Sequence, residues 1–119
     1  MKKTLIIGAS SNPIRYSKRA IMRLIENGHQ VVGIGMSGGV VSGVSITNEK
    51  ILYDDIDTVS LYINISIQPE FYDYIIKLKP NRVIFNPGTE NLEFYEILNK
   101  NEIEYEIAYT LVLLRTNQY

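Results

Sequence analysis

Thr4-Leu5-Ile6-Ile7-Gly8-Ala9-Ser10-Ser11-Asn12-Pro13-Ile14-Arg15-Tyr16-Ser17 runs from an apolar segment through a loop of small residues into a basic one. The run up to Ile7 reads as a buried strand and the Gly/Ser/Asn/Pro segment as a tight loop. Ser17 to Glu26 reads as an amphipathic helix, with Ala20, Ile21, Leu24 and Ile25 on one face. A strand, a tight turn and a helix start point free backbone N–H groups and the positive end of the helix dipole at one spot, which makes an anion site. The charges agree. Helix starts usually carry Asp or Glu, whereas this one carries Arg15, Lys18 and Arg19 and no acid before Glu26. Each exposed cation against that positive end costs about 0.3–1 kcal/mol, a cost that a bound phosphate would offset. From the loop alone, an ordinary turn capped by Ser or Asn is equally open; the basic cluster favours phosphate.

Val31–Ile34 and Val59–Ile63 resemble the first strand, and the runs Arg82–Phe85 and Glu104–Ile107 follow them. Near-continuous Val/Ile/Leu runs suit parallel strands covered on both faces, and Glu104 and Glu106 mark the last as an edge. Helical patterns lie between. Pro69 and Glu70 suit the start of a second helix with Phe71, Tyr72, Ile75, Ile76 and Leu78 in its stripe, ended by Pro80. Asn91 suits the N-cap of a third, with Phe94, Ile97 and Leu98 facing inward. Ser37 to Tyr53, with Gly38-Gly39 and Gly43, reads as a short hairpin or loop in place of a crossover helix. The order predicts a doubly wound, Rossmann-like α/β fold: a mostly parallel five-stranded sheet with helices on both faces, forming one domain over residues 1–119.

The composition narrows the function. With 119 residues and 45% hydrophobic content the chain can bury a core. A net charge of −1 argues against a general nucleic-acid binder. There is no cysteine, hence no disulfide, thiolate metal site or thiol nucleophile, which fits a cytoplasmic protein. Met1 to Ile7 briefly imitates a signal peptide, but the apolar run ends at Gly8, short of the roughly 7–15 residues required. No stretch approaches the ~18 apolar residues of a membrane span.

In doubly wound sheets ligands bind at the carboxyl ends of the strands, near the switch in strand order. The residues leaving those ends are Gly8 to Ser17, Gly35-Met36-Ser37, Asn64-Ile65-Ser66 and Asn86-Pro87-Gly88-Thr89-Glu90-Asn91, all rich in small or amide side chains. A dinucleotide fingerprint would read G-x-G-x-x-G; Ser10 and Pro13 stand in the second and third glycine places. A P-loop would end in Gly-Lys-Ser/Thr, and this loop does not. No acid follows the second strand to hold ribose hydroxyls, which weakens an NAD reading. Asn86-Pro87-Gly88-Thr89 reads as a turn, or as a second ligand-lining loop with Asn86 facing the cleft. His29, the only histidine, falls in a turn at the opposite end and reads as solvated; Asp54, Asp55 and Asp57 read as a solvated acidic cluster. No metal site and no catalytic group emerges.

The first loop, the Asn86–Asn91 loop and Tyr109-Thr110-Leu111-Val112-Leu113-Leu114 together resemble the small, single-domain CoA-binding proteins, which look like the CoA-binding Rossmann domain of the succinyl-CoA synthetase alpha subunit standing alone. The resemblance runs the length of the chain. It implies CoA as ligand, its pyrophosphate against Gly8, Ala9, Ser10, Asn12, Pro13, Arg15, Tyr16 and Ser17. The adenine end would lie near Gly35 and Met36, and Asn64, Asn86, Pro87 and Gly88 would line the rest. Where many relatives carry a cysteine this chain has Tyr109, so no thiol role transfers; where they often carry Asn-Pro it has Met36-Ser37. The synthetase reaction needs an ATP-binding domain and a phosphorylated histidine on the ligase side, which this chain has no room for. The expectation is a non-catalytic CoA or acyl-CoA binder, with an unknown protein partner or a homodimer left open. A small NAD(P)-binding oxidoreductase and an interaction module with a vestigial site are the alternatives.

Overall fold

The structure, a computed structural model, describes residues 2–119. Its strands are β1 (Lys3–Ile7), β2 (Gln30–Ile34), β3 (Val40–Val41), β4 (Val44–Thr47), β5 (Thr58–Leu61), β6 (Arg82–Phe85) and β7 (Glu104–Ile107). Its helices are α1 (Tyr16–Glu26), α2 (Tyr72–Leu78, entered through a 3₁₀ turn Gln68–Phe71), α3 (Leu92–Lys100) and α4 (Thr110–Arg115). The sheet order is β3-β4-β2-β1-β5-β6-β7. The Rossmann-like α/β reading holds, but the sheet has seven strands, not five. The five predicted strands pair in parallel as expected. The Ser37–Tyr53 insert contributes the other two: a hairpin turning at Ser42-Gly43, whose strand β4 pairs in parallel with β2 while β3 runs antiparallel to β4.

Burial alternates along β1. Leu5 and Ile7 join the layer formed with α2 and α3, and Ile6 joins the layer formed with α1 and α4. In the α2/α3 layer Phe85 meets Phe94 and Tyr95 edge-on at 5.6 and 4.8 Å, the favoured aromatic geometry. In the opposite layer Ile21 and Leu24 of α1 pack with Leu114 of α4. The return from β4 to β5 is extended chain. It packs through Tyr53 and Ile56 against the α2/α3 layer, and the Tyr74 hydroxyl donates to the Ile51 carbonyl at 2.5 Å. Because the chain moves from β1 out to β2 and then returns to β5 on the other side of β1, a crevice opens at the carboxyl end of β1.

At the amino end of the sheet two sequence expectations change. His29 is half-buried rather than a solvated turn residue: its Nδ1 accepts the Lys2 N–H at 3.1 Å and its ring lies 5.0 Å from that of Tyr119. Asp57 is half-buried too; its carboxylate accepts from the Thr58 hydroxyl at 2.6 Å and the Asn81 amide at 2.8 Å. No helix among the described residues is long and apolar enough to cross a membrane.

Candidate functional site

The loop after β1 is fastened on two sides. Gly8 adopts φ +93°, and a Cβ there would stand 2.8 Å from the Tyr62 carbonyl oxygen, so glycine alone fits. The N–H groups of Gly8 and Ala9 both donate to the Ile34 carbonyl, at 2.9 and 2.8 Å. These two donors are therefore engaged by β2, not free for an anion as the turn alone suggests. Further on, the loop supports itself: the Ser10 hydroxyl accepts from the Asn12 N–H and the Asn12 side-chain oxygen from the Ile14 N–H, each at 3.0 Å.

The donors left over lie at the start of α1, in the Tyr16 and Ser17 N–H groups, since the Lys18 N–H donates to the Arg15 carbonyl at 3.2 Å. Arg15 occupies the N-cap in extended geometry, no side chain caps the helix, and the first turn carries no acid. A missing cap leaves about 0.5–2 kcal/mol unclaimed. Ser17, one residue into the helix, is 2% exposed, yet its hydroxyl has no hydrogen-bond partner. A buried unsatisfied hydroxyl costs about 1–3 kcal/mol. Arg15, Tyr16 and Ser17 all line the crevice, and a helix start, a hydroxyl and a guanidinium are donor types suited to a phosphate oxyanion.

The crevice is a cleft of about 690 Å³, within the range of small-molecule sites. It brings together most of the predicted residues. Gly8, Ala9, Ser10, Arg15, Tyr16 and Ser17 line it from the first loop and helix start; Gly35 and Met36 line it from the end of β2; Asn64, Pro87 and Gly88 line it from the ends of β5 and β6. Asn12 and Pro13 are exposed and outside the lining. Asn86 is also outside it. Buried, it donates to the Ser60 hydroxyl at 2.8 Å and the Leu61 carbonyl at 2.9 Å, and accepts the Thr110 N–H at 2.8 Å. It joins β5, β6 and the start of α4 instead of facing the cleft.

Several lining residues escaped the sequence reading. Tyr62 and Ile63 leave the end of β5, a strand the sequence reading extends to Ile63. Asn48 leaves β4, which was not read as part of the main sheet. Phe71 belongs to an apolar stripe that looked like core, and Ile67 precedes it with no signal of its own. Burial pushes the Tyr62 phenol up to about 12, with the Thr110 and Ser60 hydroxyls lowering it in part. It stays protonated at neutral pH. A buried amide pair braces the cleft from below. Gln68 donates to the Ile63 and Thr89 carbonyls at 3.0 and 2.7 Å and accepts from Asn91, which also caps α3 as predicted. The rim is apolar and solvated: Ile14 is 84%, Tyr16 66% and Met36 93% exposed.

A family model described as "CoA binding domain" matches residues 2–113. No curated protein matches the chain. Among solved structures, that of an uncharacterized protein is 49% identical, with a TM-score of 0.97 over 100% of this chain and 98% of that one. Cell-free ID.343 from Thermus thermophilus is 19% identical, with a TM-score of 0.87 over 99% of this chain and 90% of that one. A hypothetical protein from Pyrococcus horikoshii OT3 is 24% identical, with a TM-score of 0.81 over 96% and 82%. At these lower identities the likeness is one of fold.

Proposed function

The chain belongs to the CoA binding domain family, and from that premise we propose that it acts as a single-domain, non-catalytic binder of CoA or an acyl-CoA, with the ligand's diphosphate at the start of α1. The observation that carries the position is the buried, unpartnered Ser17 hydroxyl beneath an uncapped helix start. Ser17 and the first N–H groups of α1 would hold the diphosphate, and Arg15 would neutralise part of its charge. Gly35 lets the β2 end pack against the Ala9 backbone, which holds the first loop in place beside the site. Met36, Ile14 and Tyr16 supply exposed apolar surface that a base or an acyl-pantetheine arm would cover.

The binding role, as against catalysis, rests on the lining chemistry. Its titratable side chains are Arg15, Tyr16 and Tyr62, and Tyr62 is pushed up to about 12. Among the described residues no carboxylate or imidazole lines it to trade a proton near neutral pH. The test is a calorimetric titration with CoA, acetyl-CoA, NAD⁺, NADP⁺ and ADP into the native protein and into the Arg15→Ala and Ser17→Ala variants. Loss of a hydrogen bond to a charged group, about 1.5–3 kcal/mol, should weaken CoA binding about tenfold to hundredfold in each variant. Unchanged CoA affinity in both would remove the diphosphate assignment, and binding of a nicotinamide nucleotide without CoA would replace the ligand.

A further inference from the structure

We propose that Lys50 reads the ribose phosphomonoester of CoA, making it the residue that distinguishes CoA from dephospho-CoA. The proposal rests on CoA being the ligand and on its diphosphate lying at the start of α1. CoA carries, besides its diphosphate, a phosphate on the adenosine ribose, and a dianion there needs a cation. Arg15 is the one charged side chain among the described residues lining the cleft, and it stands with the diphosphate donors. The end of β2, Gly35-Met36-Ser37, is neutral.

The other cations can be sorted by place. Lys18 and Arg19 follow Arg15 on α1, and the Arg19 guanidinium lies over the Tyr16 ring at 5.8 Å. Lys2, Lys3 and Lys79 line a hollow at the amino end of the sheet. Arg23, Lys77, Lys100 and Arg115 fall in the last turns of their helices, and Arg82 opens β6. Lys50 is left. It lies two residues beyond Asn48, which lines the cleft, and its ammonium sits 4.8 Å from the ring centroid of Phe71, which also lines it. It is therefore the cation held against a cleft-lining side chain away from α1.

Its present partners leave it available. Lys50 Nζ donates to the Glu70 carbonyl at 2.6 Å. No carboxylate among the described residues lies within ion-pair distance of it. An ammonium has two further donors, so it can meet a phosphate while keeping, or after leaving, the carbonyl. The segment does not depend on Lys50 alone, because the next residue is held by the Tyr74 hydroxyl at 2.5 Å.

Titration of CoA and dephospho-CoA into the native protein, Lys50→Met and Lys50→Arg tests this, with thermal melts to establish that each variant is folded. The native protein should prefer CoA about tenfold, as for one charge-assisted contact. Lys50→Met should lose that preference by weakening CoA alone, and Lys50→Arg should keep it. Equal weakening of both ligands would make Lys50 a packing residue and overturn the proposal. A native preference retained in Lys50→Met, or no native preference at all, would also overturn it while leaving the diphosphate site standing. If the native protein bound neither ligand, the reading of the site would fall and this inference with it.

Discussion

Gly35→Ala would probe how tightly the first two loops of the cleft are locked together. Its Cβ would stand 2.0 Å from the Ala9 carbonyl oxygen, 3.0 Å from the Ala9 carbonyl carbon and 3.1 Å from a methyl of Ile46. The obstacle is backbone, so no rotamer relieves it. The Ala9 segment is held in place by the donations of Gly8 and Ala9 to Ile34 at 2.9 and 2.8 Å. Moving it away puts both hydrogen bonds at risk, worth about 1 kcal/mol each, on top of about 1–3 kcal/mol of overpacking strain. The sum, about 3–5 kcal/mol, is a large share of a total stability of roughly 5–15 kcal/mol. At about 3–5 °C per kcal/mol for a chain of this size, the midpoint should fall about 9–25 °C. Urea and thermal melts followed by circular dichroism measure it. The comparison is Gly88→Ala: φ is +91° there, but nothing lies within 4 Å. That variant carries only the left-handed penalty, about 1–2 kcal/mol. A Gly35→Ala protein no less stable than Gly88→Ala would refute the close packing of the first two loops.

Ser17→Ala, besides weakening CoA, should stabilise the ligand-free protein by about 1 kcal/mol, because a buried hydroxyl without a partner is removed; a lower melting temperature would mean that the hydroxyl is satisfied. Asn86→Leu should cost about 3 kcal/mol in urea denaturation, since bonds to Ser60, Leu61 and Thr110 go together. A loss below about 1 kcal/mol would show that Asn86 does not join β5 to α4. Burial pushes the Asp57 carboxyl up, but hydrogen bonds from Thr58 and Asn81 outweigh it and leave its pKa below the ordinary 3.8. A depressed carboxylate adds stability that is full above its unfolded pKa and is lost as pH falls through the folded one. Stability should therefore drop on acidification below that ordinary value, and less steeply in Asp57→Asn; parallel acid-denaturation curves would contradict it.

The strands of the sheet's centre were legible because each carries a core of Val, Ile, Leu or Phe, the composition that burial on both faces favours, although Thr4, Thr58 and Ser60 are buried in them too. The hairpin was legible as a hairpin, but its membership of the sheet was not. Val44-Ser45-Ile46-Thr47 alternates, which reports one buried face and says nothing of its neighbour; the pairing of Gly33 with Ile46 is a tertiary fact. Helix α4 spans only six residues, Thr110–Arg115, too short for a periodic stripe to stand out. His29 looked solvated because its turn is polar; its burial comes from Tyr119, distant in sequence.

The same division runs through the cleft. The basic start of α1 stood out because it breaks a local rule, and a local rule can be checked on local sequence. Choices among hydrogen-bond partners cannot. Nothing in the first loop reveals that Gly8 and Ala9 give their N–H groups to Ile34, or that the Asn86 amide turns toward Ser60 and Thr110. Both readings took a polar group at a strand end as free when a neighbouring strand had engaged it. Ser17 is the converse. In sequence it is one serine in a helix; in the fold it is a hydroxyl without a partner inside a protein that satisfies its other buried side-chain polar atoms, Tyr95 apart, among the described residues. Folding alone gives no reason to leave it so, since alanine in its place would cost nothing in hydrogen bonding. The proposed diphosphate at the start of α1 would supply the partner that the empty fold withholds from Ser17.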